Sequence, residues 1–304
     1  MAFKIMIMGA SYGSLLASKI LFGGHSVHLI CLPTEADLIN SEGFKVRLPV
    51  RGRKDQVLLE SRKLPGKVTA GGVDSANPND FDLIGLAMQE PQYRSPGVKE
   101  LLDKVARSGK PCMSIMNMPP LAYLKRIPSI DADAIRDSYT DASVWDSFDP
   151  ATITLCSPDP QAFRPPEEKV NVLQVRLATN FKSARFDSEA HTQILRNLEK
   201  DIDASRFEVN GEKIELPVKL KTHESVFVPL AKWAMLCSGN YRCVQKDAMR
   251  PIKQAVHSDL DASRAVYDWV VKLCVSLGAN PRDMVPFDKY ANAALSLLTP
   301  SSAA

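Results

Sequence analysis

A short apolar run from Phe3 to Met8, broken only by Lys4, ends in Gly9-Ala10-Ser11-Tyr12-Gly13-Ser14. A strand feeding a glycine turn and a helix start presents backbone N–H groups and the positive end of the helix dipole to an anion. The full dinucleotide fingerprint is G-x-G-x-x-G, whose second glycine lets a pyrophosphate approach the backbone. This chain has G-x-x-x-G, with Ser11 and Ser14 where further glycines would stand, so a tight turn without ligand stays open as an alternative. A second candidate is Asn117, which ends the apolar stretch Met113-Ser114-Ile115-Met116. In a doubly wound sheet a polar side chain at a strand's C-terminal end faces the ligand crevice. Capping a turn before Pro119-Pro120 is the plainer role. The third is Lys232, set among Ala231, Trp233, Ala234, Met235 and Leu236, with Asn240 eight residues on. On an unbroken helix that spacing is about two turns and brings both to one side. A lysine ammonium can stabilise negative charge developing on a carbonyl oxygen and deliver its proton. Snorkelling from a buried helix is the alternative.

Other chemistries lack support. The five histidines (25, 28, 191, 223 and 257) show no ligand spacing, so no metal site is expected. No P-loop, G-x-S-x-G or Cys–His nucleophile signature occurs. The residue type after the second strand should distinguish a free ribose hydroxyl from a 2′-phosphate. Here the chain runs Cys31-Leu32-Pro33-Thr34-Glu35. Glu35 falls two or three positions late and reads better as a solvated charge at a helix start than as a ribose contact.

These candidates need elements to hold them. Phe3–Met8, a helix to the Gly23-Gly24 stop, and a strand from Ser26 to Leu32 make one βαβ unit with parallel strands. Between 43 and 68, Phe44–Leu48 and Gln56–Leu59 read as short strands or a hairpin. Asp82–Ala87 is a buried strand, Val98–Arg107 a helix, and Pro111–Met116 a strand ending at Asn117. Residues 157–168 read as a proline-rich connector. Val170–Ala178 and Ala184–Phe186 read as strands, and His191–Ser205 as an amphipathic helix. Beyond Pro217 the apolar spacing of three and four predicts helices in 224–244, 251–277 and 286–298. The expected fold class is α/β, a Rossmann-type doubly wound N-terminal domain over 1–220 followed by a smaller all-helical domain over 221–304.

The 304 residues, 45% hydrophobic and 24% charged, describe a globular protein able to bury a core. A net charge of +3, spread thinly, argues against nucleic acid as a partner. The apolar stretches are shorter than a membrane span or a secretory leader requires. Six cysteines without short spacing fit reduced thiols, and a cytoplasmic location is expected.

Taken together, the segments resemble the ketopantoate reductase (2-dehydropantoate 2-reductase) family over most of the chain, as a divergent member. Gly13-Ser14-Leu15-Leu16-Ala17 followed by Gly24-His25-Ser26-Val27-His28-Leu29-Ile30 is similar to the family's first βαβ, and Asp82-Leu83-Ile84 to its D-L-V strand. Met116-Asn117-Met118 sits where the family has L-Q-N-G-L, which places Asn117 on its active-site asparagine. Lys232 falls on the catalytic lysine. Of the two asparagines that follow it in the family, the second is kept as Asn240 and the first is Leu236. Ser301-Ser302 fall on a serine pair that contacts substrate. The chain departs from the family in a glycine loop one residue short, and in Leu32 and Gln89 where basic residues hold the 2′-phosphate. It also ends at Ala304, short of a family glutamate.

The resemblance implies an NAD(P)H-dependent reductase of a small 2-oxo acid, as in pantothenate biosynthesis, with substrate between the domains; a homodimer is expected from apolar helix faces exposed in the helical half. It leans toward NADPH, while the local residues leave NADH open. Gly9, Ala10, Ser11, Tyr12, Gly13, Ser14, Gln89 and Asn117 would contact the cofactor. Lys232 would be catalytic, and Asn117, Asn240, Arg242 and Ser302 would orient substrate. An imine (opine-type) reductase and a non-catalytic nucleotide-binding protein are the alternatives.

Overall fold

The computed structural model describes residues 2–301, which form two compact units. The first comprises residues 2–126 with Asp131–Glu224, and the second Ile127–Ile130 with residues 225–301.

The first unit begins with β1 (Lys4–Met8), α1 (Gly13–Phe22), β2 (Ser26–Ile30) and α2 (Pro33–Glu42). Ile5 to Met8 are each at most 1% exposed, which is why β1 reads as a continuous apolar run rather than an alternating one. All ten residues of α1 are buried, including Lys19. Next come β3 (Lys45–Leu48), β4 (Val57–Glu60), β5 (Val68–Gly71), β6 (Leu83–Leu86), α3 (Val98–Ser108), β7 (Cys112–Ser114) and α4 (Leu121–Leu124). The unit continues with β8 (Ile153–Ser157), β9 (Gln161–Phe163), β10 (Val172–Leu177), β11 (Phe181–Ala184) and α5 (Glu189–Ala204). It ends with β12 (Phe207–Val209), β13 (Glu212–Ile214) and β14 (Leu220–His223).

The main sheet has eight strands in the order β14-β11-β8-β7-β6-β1-β2-β5. From β5 to β8 every neighbouring pair is parallel. Numbered within that sheet, β5-β2-β1-β6-β7-β8 is the 3-2-1-4-5-6 order of a dinucleotide-binding fold. The order reverses between β1 and β6, which fixes where a crevice opens. Beyond β8 the sheet adds β11 antiparallel to it and β14 parallel to β11.

The expected hairpin forms as β3 and β4, and it joins β10 and β9 in a second sheet of order β4-β3-β10-β9. The stretch read as a connector thus contributes a strand, β9, paired antiparallel to β10. The strand expected at Ala184–Phe186 lies earlier, at Phe181–Ala184, because buried Ser183 interrupts the apolar pattern that marks it. The strand before Asn117 is also shorter than expected and stops at Ser114. Because β14 pairs with β11, the first unit runs on to Glu224.

The second unit holds α6 (Lys232–Met235), α7 (Ile252–His257), α8 (Leu260–Ser276) and α9 (Phe287–Ala294). The segment expected as one helix over 224–244 is instead a 3₁₀ turn at Pro229–Ala231, the single turn α6, a π-turn at Leu236–Asn240 and a 3₁₀ turn at Tyr241–Cys243. Gly239 admits the departure, since a Cβ there would lie 2.0 Å from the Tyr290 hydroxyl oxygen. That hydroxyl donates to the Met235 carbonyl at 3.2 Å, the acceptor a regular α-helix would give to the Gly239 N–H. No helix of the described residues is long and apolar enough to cross a membrane.

Candidate functional site

The first βα turn is shaped by two close approaches. Gly9 donates its N–H to the Ile30 carbonyl at 2.9 Å and adopts φ +104°. A Cβ on it would lie 2.8 Å from the Ala87 carbonyl oxygen and 2.9 Å from Met88 Cγ, so only glycine lets the ends of β1 and β6 close together here. At Gly13 a Cβ would meet Ile7 Cγ2 at 2.9 Å, which sets how closely α1 starts over β1. Ser14 Oγ donates to the Ser11 carbonyl at 2.9 Å and caps the turn from within. The Ser11 and Tyr12 amides meet no acceptor among the described residues and are available to an anion.

Above this turn lies a cavity of about 760 Å³. Its walls are the C-terminal ends of the strands on either side of the order reversal. Gly9, Ala10 and Ser11 follow β1; Cys31, Leu32 and Glu35 follow β2; Gly72 to Ser75 follow β5; Ala87 and Met88 follow β6. Gln92, Ser95, Pro96 and Val98 line it from the segment leading into α3, and Arg164 reaches it from the residue after β9. This is the position a dinucleotide takes in such a sheet, with its pyrophosphate against the first turn. The glycine cradle, the available amides and the crevice fit the group.

The six turn residues divide. Gly9, Ala10 and Ser11 line the crevice, whereas the Tyr12 side chain turns inward. Its hydroxyl donates to the Pro160 carbonyl at 2.7 Å, and its ring meets Phe181 edge-on. Burial pushes that phenol well above its usual pKa, with the Cys156 and Asp159 charges adding to the effect. The tyrosine side chain is thus used as core, and what Tyr12 offers an anion is its backbone N–H. Gly13 and Ser14 are buried at the start of α1.

Gln89 is exposed where a short 3₁₀ segment begins, and its N–H is taken by Gln92 Oε1 at 2.8 Å. Gln92, one turn later, faces the cavity in its place. Asn117 lies three residues past β7, outside the cavity lining. Its Oδ1 is buried and has no hydrogen-bond partner among the described residues. A buried acceptor left open in this way costs stability unless a ligand fills it.

Glu35 corrects an expectation. It is 9% exposed, lines the cavity, and is paired with the Arg164 guanidinium rather than solvated. Two features of this wall escaped the sequence reading. Arg164 lies 129 residues from Glu35 and carries no motif. The loop Gly72–Ser75 follows β5, whose four residues are too few to announce a strand; the Gly71-Gly72 pair was its signal.

In the second unit Lys232 opens α6, half-buried beside buried Leu230, Ala231 and Ala234. The π-turn breaks the regular spacing on which Lys232 and Asn240 were expected to share a face. Asn240 is buried and donates from Nδ2 to Ser301 Oγ at 2.9 Å. Arg242 donates from Nη1 to Ser263 Oγ at 2.7 Å and to the Ser238 carbonyl at 3.2 Å, tying the π-turn to α8. Ser302 lies outside the described residues. All six cysteines are free thiols, and no metal-binding cluster occurs among the described residues.

No family model matches the chain, and no curated protein matches it. Solved structures do. One from Ralstonia solanacearum MolK2, assigned as a ketopantoate reductase, superposes with a TM-score of 0.65 at 11% identity, covering 100% of this chain and 85% of that one. A PanE/ApbA family ketopantoate reductase from Ralstonia eutropha JMP134 gives 0.54 at 12% identity, covering 98% and 83%. A third, from Enterococcus faecalis and assigned as a 2-dehydropantoate 2-reductase, gives 0.50 at 11% identity, covering 96% and 79%. At these identities the likeness is one of fold.

Proposed function

We propose that the chain is a nicotinamide-dependent reductase of a small 2-oxo acid. The observation that carries this reading is the cavity above Gly9–Ser11, set at the order reversal of a 3-2-1-4-5-6 sheet and closed by a glycine no other residue can replace. A bound nicotinamide cofactor supplies the hydride. The chain's own residues do the rest. The turn amides and the N-terminus of α1 hold the pyrophosphate. Lys232 stabilises negative charge on the carbonyl oxygen and donates its Nζ proton to it. Asn117 and Asn240 orient the substrate, with Ser301 holding the Asn240 amide.

The test has two arms. Titrating the protein into NADH and NADPH and following nicotinamide fluorescence should show saturable binding of at least one. A panel of 2-oxo acids should then reveal turnover that Lys232→Ala lowers by roughly 10²–10³ while cofactor binding persists. Undiminished turnover in that variant overturns the role given to the lysine. Absence of binding with both cofactors overturns the reductase.

A further inference from the structure

The cavity wall next to β2 holds three charged side chains, Glu35, Asp74 and Arg164. Two are carboxylates, and the only cation among them is already paired with one. The Glu35 carboxylate sits in the first turn of α2, two-residue reach beyond Pro33, with 11% of its side chain exposed; Arg164 covers it from the segment after β9 with 28% exposed. Leu32, which follows β2, offers no hydrogen bond. Cys31 directly precedes Leu32, and burial together with the Glu35 charge pushes its thiol up to about 12, so it adds no anion of its own.

A 2′-phosphate carries a charge of about −1.5 to −2 near neutral pH. Placed here it would meet two carboxylates and a guanidinium that must first leave its partner. A ribose with free hydroxyls meets the opposite situation: an oriented carboxylate able to accept from both, the interaction that distinguishes NAD sites. Resting on the reading of this cavity as a dinucleotide site, we infer that Glu35 and Arg164 form a selectivity element for NAD over NADP. Glu35 accepts the ribose hydroxyls, and Arg164 is the positioning residue that fixes the carboxylate. The preference runs against the lean toward NADPH that the family resemblance implies. It combines Glu35, in the first turn of the helix after β2, with Arg164, which follows the distant strand β9.

The experiment is a fluorescence titration of the full chain with NADH and NADPH separately, with circular dichroism to confirm that each variant folds. The wild type should bind NADH at least about tenfold more tightly, the equivalent of one charge-assisted hydrogen bond. Glu35→Gln should weaken NADH by about tenfold and strengthen NADPH, because Arg164 is released to face the phosphate. Adding Arg164→Ala to Glu35→Gln should remove the NADPH gain. Competition by 5′-AMP and 2′,5′-ADP on the wild type reads the same preference without any variant, and 5′-AMP should displace NADH more effectively. Tighter wild-type binding of NADPH overturns the inference and leaves the dinucleotide site standing. An equal loss of both cofactors in Glu35→Gln assigns the pair a structural role and overturns it too. Failure of both cofactors to bind the wild type removes the site itself.

Discussion

Replacing Lys19 with methionine should stabilise the first unit, and the gain should fade as pH rises. Lys19 is 1% exposed in the last turn of α1, and its Nζ has no hydrogen-bond partner among the described residues. Burial, reinforced by the Lys219 ammonium, lowers its pKa to about 7. In an unfolded chain the amine titrates near about 10.4. Between these values the unfolded state binds more protons than the native one, so stability rises with pH through the window from about 7 to about 10. The slope is at most about 1.4 kcal/mol per pH unit, which sums to about 4 kcal/mol over the window. The burden of this buried amine is therefore fully present at and below pH 7 and nearly gone at pH 10.

Methionine fills a similar volume with a flexible apolar chain. Urea unfolding should show Lys19→Met more stable by about 2–4 kcal/mol at pH 7 and by less than about 1 kcal/mol at pH 10. Groups that titrate identically in both proteins cancel in the difference. A pH-independent difference, or a variant less stable at pH 7, would refute the reasoning.

Gly9→Ala should lose at least about 2 kcal/mol of stability and most cofactor binding, since it forces a side chain to positive φ against the Ala87 carbonyl; thermal melts and fluorescence titration check both. Tyr12→Phe should cost about 1 kcal/mol through the lost bond to Pro160 and leave cofactor affinity unchanged, because the hydroxyl points into the core; a fall in affinity would return the side chain to the crevice. A homodimer built on the second unit is expected from exposed Trp269 and Leu273 on α8. Sedimentation should show a dimer that Trp269→Glu dissociates, and a monomeric wild type at high concentration would exclude it.

The sequence by itself determined the opening βαβ unit and the helical character of the second unit, because those features are local. Ile5–Met8 are buried on both faces, so their composition announces a parallel strand without reference to partners. Gly9 and Gly13 mark the turn because backbone sterics permit little else. The tertiary structure alone decided the rest of the site. Tyr12 belongs to the core since Pro160 and Phe181 arrive beside it from far along the chain. Glu35 reads as a surface charge until Arg164, 129 residues away, closes over it. The Lys232–Asn240 segment stops being one regular helix where Tyr290, from α9, seats its hydroxyl at Gly239 and a π-turn intervenes. Periodicity reports the face an element buries against its neighbours, whereas the charge on a cavity wall depends on which distant side chains the fold brings there.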